Sequence, residues 1–158
     1  MTILQRRVIS FSVIFLALAF IVIQLSSFSV DASLSDWQQG AEGYVKSSQL
    51  NRETKQPVAL FFYTDWCSSC EKLRKDVLAT QAVKQFMTTL HPVKVNPEHG
   101  MLDHQLAEDF GVIGYPSFFL VDTQTGHART IQRTNNITPE QFIAQLQEAR
   151  SLLAQANL

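Results

Sequence analysis

Cys67 and Cys70 are the only two cysteines in the 158-residue chain. They stand in Trp66-Cys67-Ser68-Ser69-Cys70, after an apolar run and at the head of a stretch with helical periodicity. Two intervening residues put both sulfurs on one side of a first helical turn, within reach of each other. A helix start offers unpaired backbone N–H groups and the positive end of the helix dipole. Both favour a thiolate at Cys67. The chemistry such a pair can do is thiol–disulfide exchange. The Cys67 thiolate attacks a partner's disulfide and forms a mixed disulfide, and Cys70 then attacks Cys67 and frees the product.

Other uses of two thiols weigh less. A four-cysteine zinc site is excluded by count. His99 and His104 invite a Cys₂His₂ reading, but 28 residues separate Cys70 from His99, against about 12–15 in a finger. A purely structural staple across so short a loop removes little chain entropy. Soft thiolates also suit Cu(I), so the alternative function is an extracytoplasmic Cu(I)-binding chaperone using the two cysteines. That reading requires a His or Met side chain converging on them, with His99 and His104 the near candidates. No histidine lies between the cysteines, and Ser68 and Ser69 bring no charge, which favours a reductant or mild exchanger over a strong oxidant.

The pair needs elements to hold it. Val58–Tyr63 (VALFFY) is a continuous apolar, β-rich run, as in a strand buried on both faces. The helix after Cys67 carries Leu73 and Val77 on one side, is interrupted near Ala79–Gln81, and resumes with Val83, Phe86 and Met87. Pro92–Asn96 reads as a second strand. Leu102, Leu106 and Phe110 recur every four residues, giving a short helix that Gly111 ends. Ser117–Val121 and Ala128–Arg133 read as strands joined by a hairpin containing Gly126. Thr138-Pro139-Glu140-Gln141 is a helix start with a cap, a proline in the first turn and a capping-box glutamine. Phe142, Leu146, Ala149 and Leu153 form that helix's apolar stripe. Upstream, Ser35 with Gln38 predicts a capped helix whose face holds Trp37, Ala41, Tyr44 and Val45. Strands separated by helices pair in parallel and the hairpin adds an antiparallel pair. The expected fold is therefore an α/β domain over residues 36–158, with a mixed central sheet and helices on both faces.

Residues 8–25 (VISFSVIFLALAFIVIQL) contain no charge, and about 20 apolar residues cross a bilayer core. Arg6 and Arg7 precede the run and Asp31 and Asp36 follow it, so the positive-inside rule turns the domain outward. The expectation is a cytoplasmic segment 1–7, a single-pass signal-anchor 8–25 and a linker 26–35, with the domain in the periplasm of a bacterial inner membrane. Cleavage after a signal peptide, at Val30-Asp31-Ala32, is the other possibility and is disfavoured by the length of the run. Setting aside Arg6, Arg7 and Asp31, the segment from Asp36 onward carries a formal charge of −2. It has no basic block, which argues against a nucleic-acid partner. With 46% hydrophobic and 17% charged residues the composition is that of a globular chain, not a disordered one.

The run VALFFYTDWCSSCEKLRKDVL, then VKVN, then FGVIGYPSFFLVD, then a capped terminal helix resembles the thioredoxin superfamily, over about residues 36–158. It is most similar to the periplasmic reductase and thioredoxin-like lipoprotein branches, including C-terminal domains of membrane thiol reductases. The resemblance implies that Cys67 is the attacking cysteine, Cys70 the resolving one and Trp66 the flanking tryptophan. Pro116 matches a cis-proline that sits against the disulfide, and Tyr115 the residue before it that tunes partner choice. It further implies protein thiol or disulfide substrates, a membrane thiol transporter as electron donor, and no cofactor beyond the redox-active Cys67–Cys70 disulfide. One position departs from the pattern. Phe61 stands where such domains carry a buried carboxylate that moves protons for the resolving cysteine. Lys94 matches the lysine beside that carboxylate or is simply an exposed strand-end residue. Asp65 and Glu71, which flank the motif, either substitute for the carboxylate or are solvated charges, and the second reading is favoured.

Overall fold

In a computed structural model of the chain, residues 34–132 and 137–156 are described. The segment proposed as an anchor, residues 8–25, and its flank 1–7 lie outside them, as does most of the linker. Among the described residues no helix is long and apolar enough to cross a membrane.

The chain folds in the order β1 (Gln38–Gln39), α1 (Gly40–Thr54), β2 (Val58–Phe62), α2 (Ser68–Leu73), α3 (Gln81–Met87), β3 (His91–Val95), α4 (Met101–Asp109), β4 (Ser117–Asp122), β5 (His127–Ile131) and α5 (Pro139–Gln155). Between α2 and α3 the helix continues as a π-helical stretch, Arg74–Leu78. The five strands among the described residues form one sheet in the order β1-β3-β2-β4-β5. β2 runs parallel to β3 and antiparallel to β4, and β5 closes the hairpin on β4.

β2 is the central strand, and all five of its residues are buried. The alternation of side chains explains why both faces must be covered. Ala59 and Phe61 point into one core with Phe118, Leu120, Val77, Val83, Phe142 and Leu146, beneath α2, α3 and α5. Val58, Leu60 and Phe62 point into the other with Val93, Val95, Phe119, Val121 and Leu106, beneath α1 and α4. The expected mixed sheet with helices on both faces is thus present.

The expected terminal-helix start is present in full. The Thr138 hydroxyl accepts from the Gln141 N–H, and the Gln141 side chain accepts from the Thr138 N–H. Phe142, Leu146, Ala149 and Leu153 are its buried residues.

The structure departs from the sequence expectations in three places. The upstream helix does not start at Ser35, whose hydroxyl instead donates to Asp36. It starts at Gly40, after a two-residue edge strand that pairs with β3. Trp37 therefore lies outside the helix and packs in the core opposite to that of Ala41 and Tyr44, while Val45 is exposed. Gly43 makes this entry possible, because a Cβ there would stand 2.9 Å from the Gln38 Cβ and 3.0 Å from its carbonyl carbon. Leu102 shares the period of Leu106 but is exposed near the start of α4, where no element among the described residues covers it. β3 and β5 each begin one residue earlier than read, and Asn96 lies beyond β3.

Candidate functional site

The site is built at the end of the central strand. After Phe62, the Tyr63 N–H still donates to the Val95 carbonyl at 3.0 Å, extending the ladder. Thr64, Asp65 and Trp66 then turn the chain so that Cys67, in extended conformation, becomes the N-cap of α2. The Cys67 carbonyl accepts the N–H groups of Cys70 (3.0 Å) and Glu71 (3.1 Å). The two cysteines form a disulfide with their Cα atoms 5.2 Å apart. The Cys70 N–H also lies 3.1 Å from the Cys67 Sγ, donating to it. Cys67 is 7% exposed and Cys70 1%. Both are more covered than a helix mouth alone would give, and Cys67 is the sulfur nearer to solvent.

Trp66, 69% exposed, stands beside the disulfide. Its ring meets Tyr115 edge to face, with centroids 6.2 Å apart. Its indole N–H donates to Glu98 Oε1 at 2.8 Å. The Tyr115–Pro116 peptide bond is cis and Pro116 is buried. The Ser117 hydroxyl donates to the Gly114 carbonyl at 2.6 Å and closes this loop. Tyr115 packs against both cores. Burial pushes its phenol pKa up, and the Glu98 charge pushes it in the same direction.

Beneath the disulfide the expected carboxylate position is wholly apolar. Phe61 is fully buried, stacked on Tyr63 and Phe118 with centroids 5.6 and 5.9 Å away, and met edge-on by Trp37 at 6.4 Å. A carboxylate there would lose its hydration, whereas the Phe61 ring adds to the apolar core. Phe61 pairs in register with Lys94 on β3.

The remaining charges near the motif are exposed. Asp65 Oδ2 lies 3.1 Å from His99 Nε2. Glu71 pairs with Lys75, and this hydrogen bond and charge hold the glutamate below its usual pKa. Burial raises the Tyr63 phenol, and the Asp65 charge adds to it. The histidines proposed for a copper site are occupied elsewhere: His99 contacts Asp65 and Asn96, and His104 lies 3.5 Å from Glu108. Among the described residues no group of three or more His, Cys, Asp or Glu side chains could hold a metal ion.

The fold therefore packs Tyr115 against the cluster that holds Cys67 and Cys70 and sets its ring against Trp66, joining two stretches about 50 residues apart in sequence, with Pro116 next to Tyr115 in the second. Glu98 escaped the sequence reading. Asn96-Pro97 signals a turn, but nothing local says that the next side chain reaches Trp66.

A sequence model of the thioredoxin-like domain matches residues 44–150. Among curated proteins the chain is similar to the thiol:disulfide interchange protein DsbD of Haemophilus ducreyi, 29% identical over 91 residues, covering 56% of this chain and 16% of that protein. It is also similar to the disulfide bond reductase DsbH of Chlamydia pneumoniae, 26% identical over 93 residues, covering 52% of this chain and 56% of that one. The matches thus span only part of the length of these relatives. Among solved structures, the oxidised C-terminal domain of Neisseria meningitidis DsbD superposes with a TM-score of 0.60 at 22% identity, covering 69% of this chain and 94% of that one. That likeness is one of fold.

Proposed function

The chain belongs to the thioredoxin-like domain family, and from this we propose that it is a thiol–disulfide oxidoreductase working as a reductase of protein disulfides outside the cytoplasm. The observation that carries the reading is the Cys67–Cys70 disulfide at the start of α2, with the Cys70 N–H directed at the Cys67 sulfur. In the reduced protein the same N–H meets a Cys67 thiolate, and a hydrogen bond to a charged acceptor is stronger than one to a neutral sulfur.

The step balances without a cofactor. The Cys67 thiolate attacks one sulfur of a partner's disulfide, forms a mixed disulfide and expels the partner's other sulfur as a thiolate. Cys70 loses its proton and attacks the Cys67 sulfur. The intramolecular disulfide forms, and the partner leaves as a dithiol with two electrons gained. A dithiol donor must then reduce the pair, and a membrane thiol transporter is the donor we assign. Trp66, Tyr115 and Pro116 line the approach to Cys67, and an incoming strand pairs with the backbone before Pro116. The uncharged side chains of Ser68 and Ser69 support the reducing direction over the oxidising one.

The location rests on the sequence of residues 8–25 after Arg6 and Arg7, which favours a single-pass anchor with the domain in the periplasm. Two experiments test the proposal. With dithiothreitol as donor, the protein should accelerate reduction of a protein disulfide and Cys67→Ser should not; equal rates would refute the activity. In cells with a permeabilised outer barrier, a membrane-impermeant thiol label should reach Cys67, and labelling only after lysis would refute the location.

A further inference from the structure

A large aromatic side chain that is mostly in solvent normally samples several rotamers, and fixing it on binding costs affinity. Trp66 is such a side chain by exposure, yet it is held at both ends. Its ring rests on Tyr115, and its indole N–H is taken by Glu98. Glu98 in turn leaves a braced turn. Its own N–H donates to the Oδ1 of Asn96 at 3.0 Å, and Asn96 is 3% exposed. The Asn96 amide meets His99 Nε2 at 3.0 Å, and His99 reaches back to Asp65, the residue before Trp66. The turn after β3 is thus tied to the turn after β2 through the Asp65–His99 and Trp66–Glu98 contacts, the second ending on the tryptophan that precedes Cys67.

We propose that Glu98 is a positioning residue for disulfide exchange with protein substrates, fixing the Trp66 indole against Tyr115 so that a cysteine-bearing segment meets a preformed aromatic wall. The inference rests on the oxidoreductase reading above and deepens it. A protein substrate spans both the sulfur and the wall, so it gains from the fixed ring. A small disulfide needs only the sulfur. Loss of the Glu98 acceptor should therefore raise KM for a protein disulfide and spare the chemical step.

The test compares Glu98→Ala with Glu98→Gln, which keeps an oxygen acceptor for the indole. Three quantities are measured: KM and kcat for insulin reduction with dithiothreitol as donor, the second-order rate with an aromatic small disulfide, and the hydrogen exchange of the Trp66 indole N–H by NMR. Trp37, buried in the core, supplies the internal reference. Glu98→Ala should raise KM for insulin by about 3- to 10-fold, leave kcat and the small-disulfide rate within about twofold, and speed exchange at the Trp66 indole. Glu98→Gln should restore most of each. An unchanged KM, an equal loss with both substrates, or a Gln variant no better than the Ala variant would overturn the proposal. If the wild-type protein reduces neither substrate, the oxidoreductase reading fails, and unchanged exchange at the Trp66 indole in Glu98→Ala would then overturn the positioning role by itself.

Discussion

The backbone N–H of Cys70 points at the Cys67 sulfur across 3.1 Å, so the deeper cysteine of the pair solvates the outer one. This divides the labour between two chemically identical side chains. In the function proposed above, Cys67, the less buried of the two, carries the thiolate that meets a partner, and Cys70, 1% exposed, resolves the product.

Cys70→Ser should therefore accumulate mixed disulfides with partner proteins, because attack on the partner is retained and resolution is lost. Cys67→Ser should accumulate none. Non-reducing electrophoresis of acid-quenched extracts reads this directly, and equal trapping by the two variants would contradict the assigned roles.

Phe61 occupies the centre of an aromatic cluster with Trp37, Tyr63 and Phe118. Phe61→Ala removes a fully buried ring under the disulfide and should lower the unfolding free energy by about 3–5 kcal/mol. Urea denaturation of the oxidised protein checks it, with an unchanged m-value showing that the transition remains comparable. A loss under about 1 kcal/mol would mean that the cluster does not support the central strand.

The Thr138–Gln141 capping box satisfies two N–H groups at the start of α5. Thr138→Ala should cost about 1 kcal/mol. The same denaturation experiment measures it, and no change would show that solvent replaces the cap.

Burial holds the His91 imidazole below its ordinary pKa of 6.5. The unfolded chain then takes up the proton first as pH falls. The contribution of this histidine to stability is whole above pH 6.5 and is lost as pH drops through the depressed folded value. The denaturation midpoint of the wild type should fall relative to that of His91→Gln between pH 7 and 5. His99 and His104 are common to both proteins and cancel in the difference. A gain for the wild type on acidification would reverse the sign and sink the prediction.

By itself the sequence determined the layered fold, because its signals are local and mutually consistent. The apolar run of β2 needs no partner to be recognised as doubly buried, the Thr138–Gln141 box announces its helix, and the cysteine spacing at a strand-to-helix junction limits the chemistry to a few options. Tertiary structure decided what depends on distant residues. Leu102 has the same period as Leu106, but whether it is buried depends on what covers the start of α4, and among the described residues it stays 62% exposed. Trp37 lies ahead of the helix, because β1 pairs with β3 and Gly43 leaves room for Gln38, whose carbonyl carbon would stand only 3.0 Å from a Cβ at position 43. Glu98 finds Trp66 from 32 residues away. Periodicity records which faces of an element are apolar, but a hydrogen bond between two loops is fixed only when the sheet brings the ends of β2 and β3 side by side.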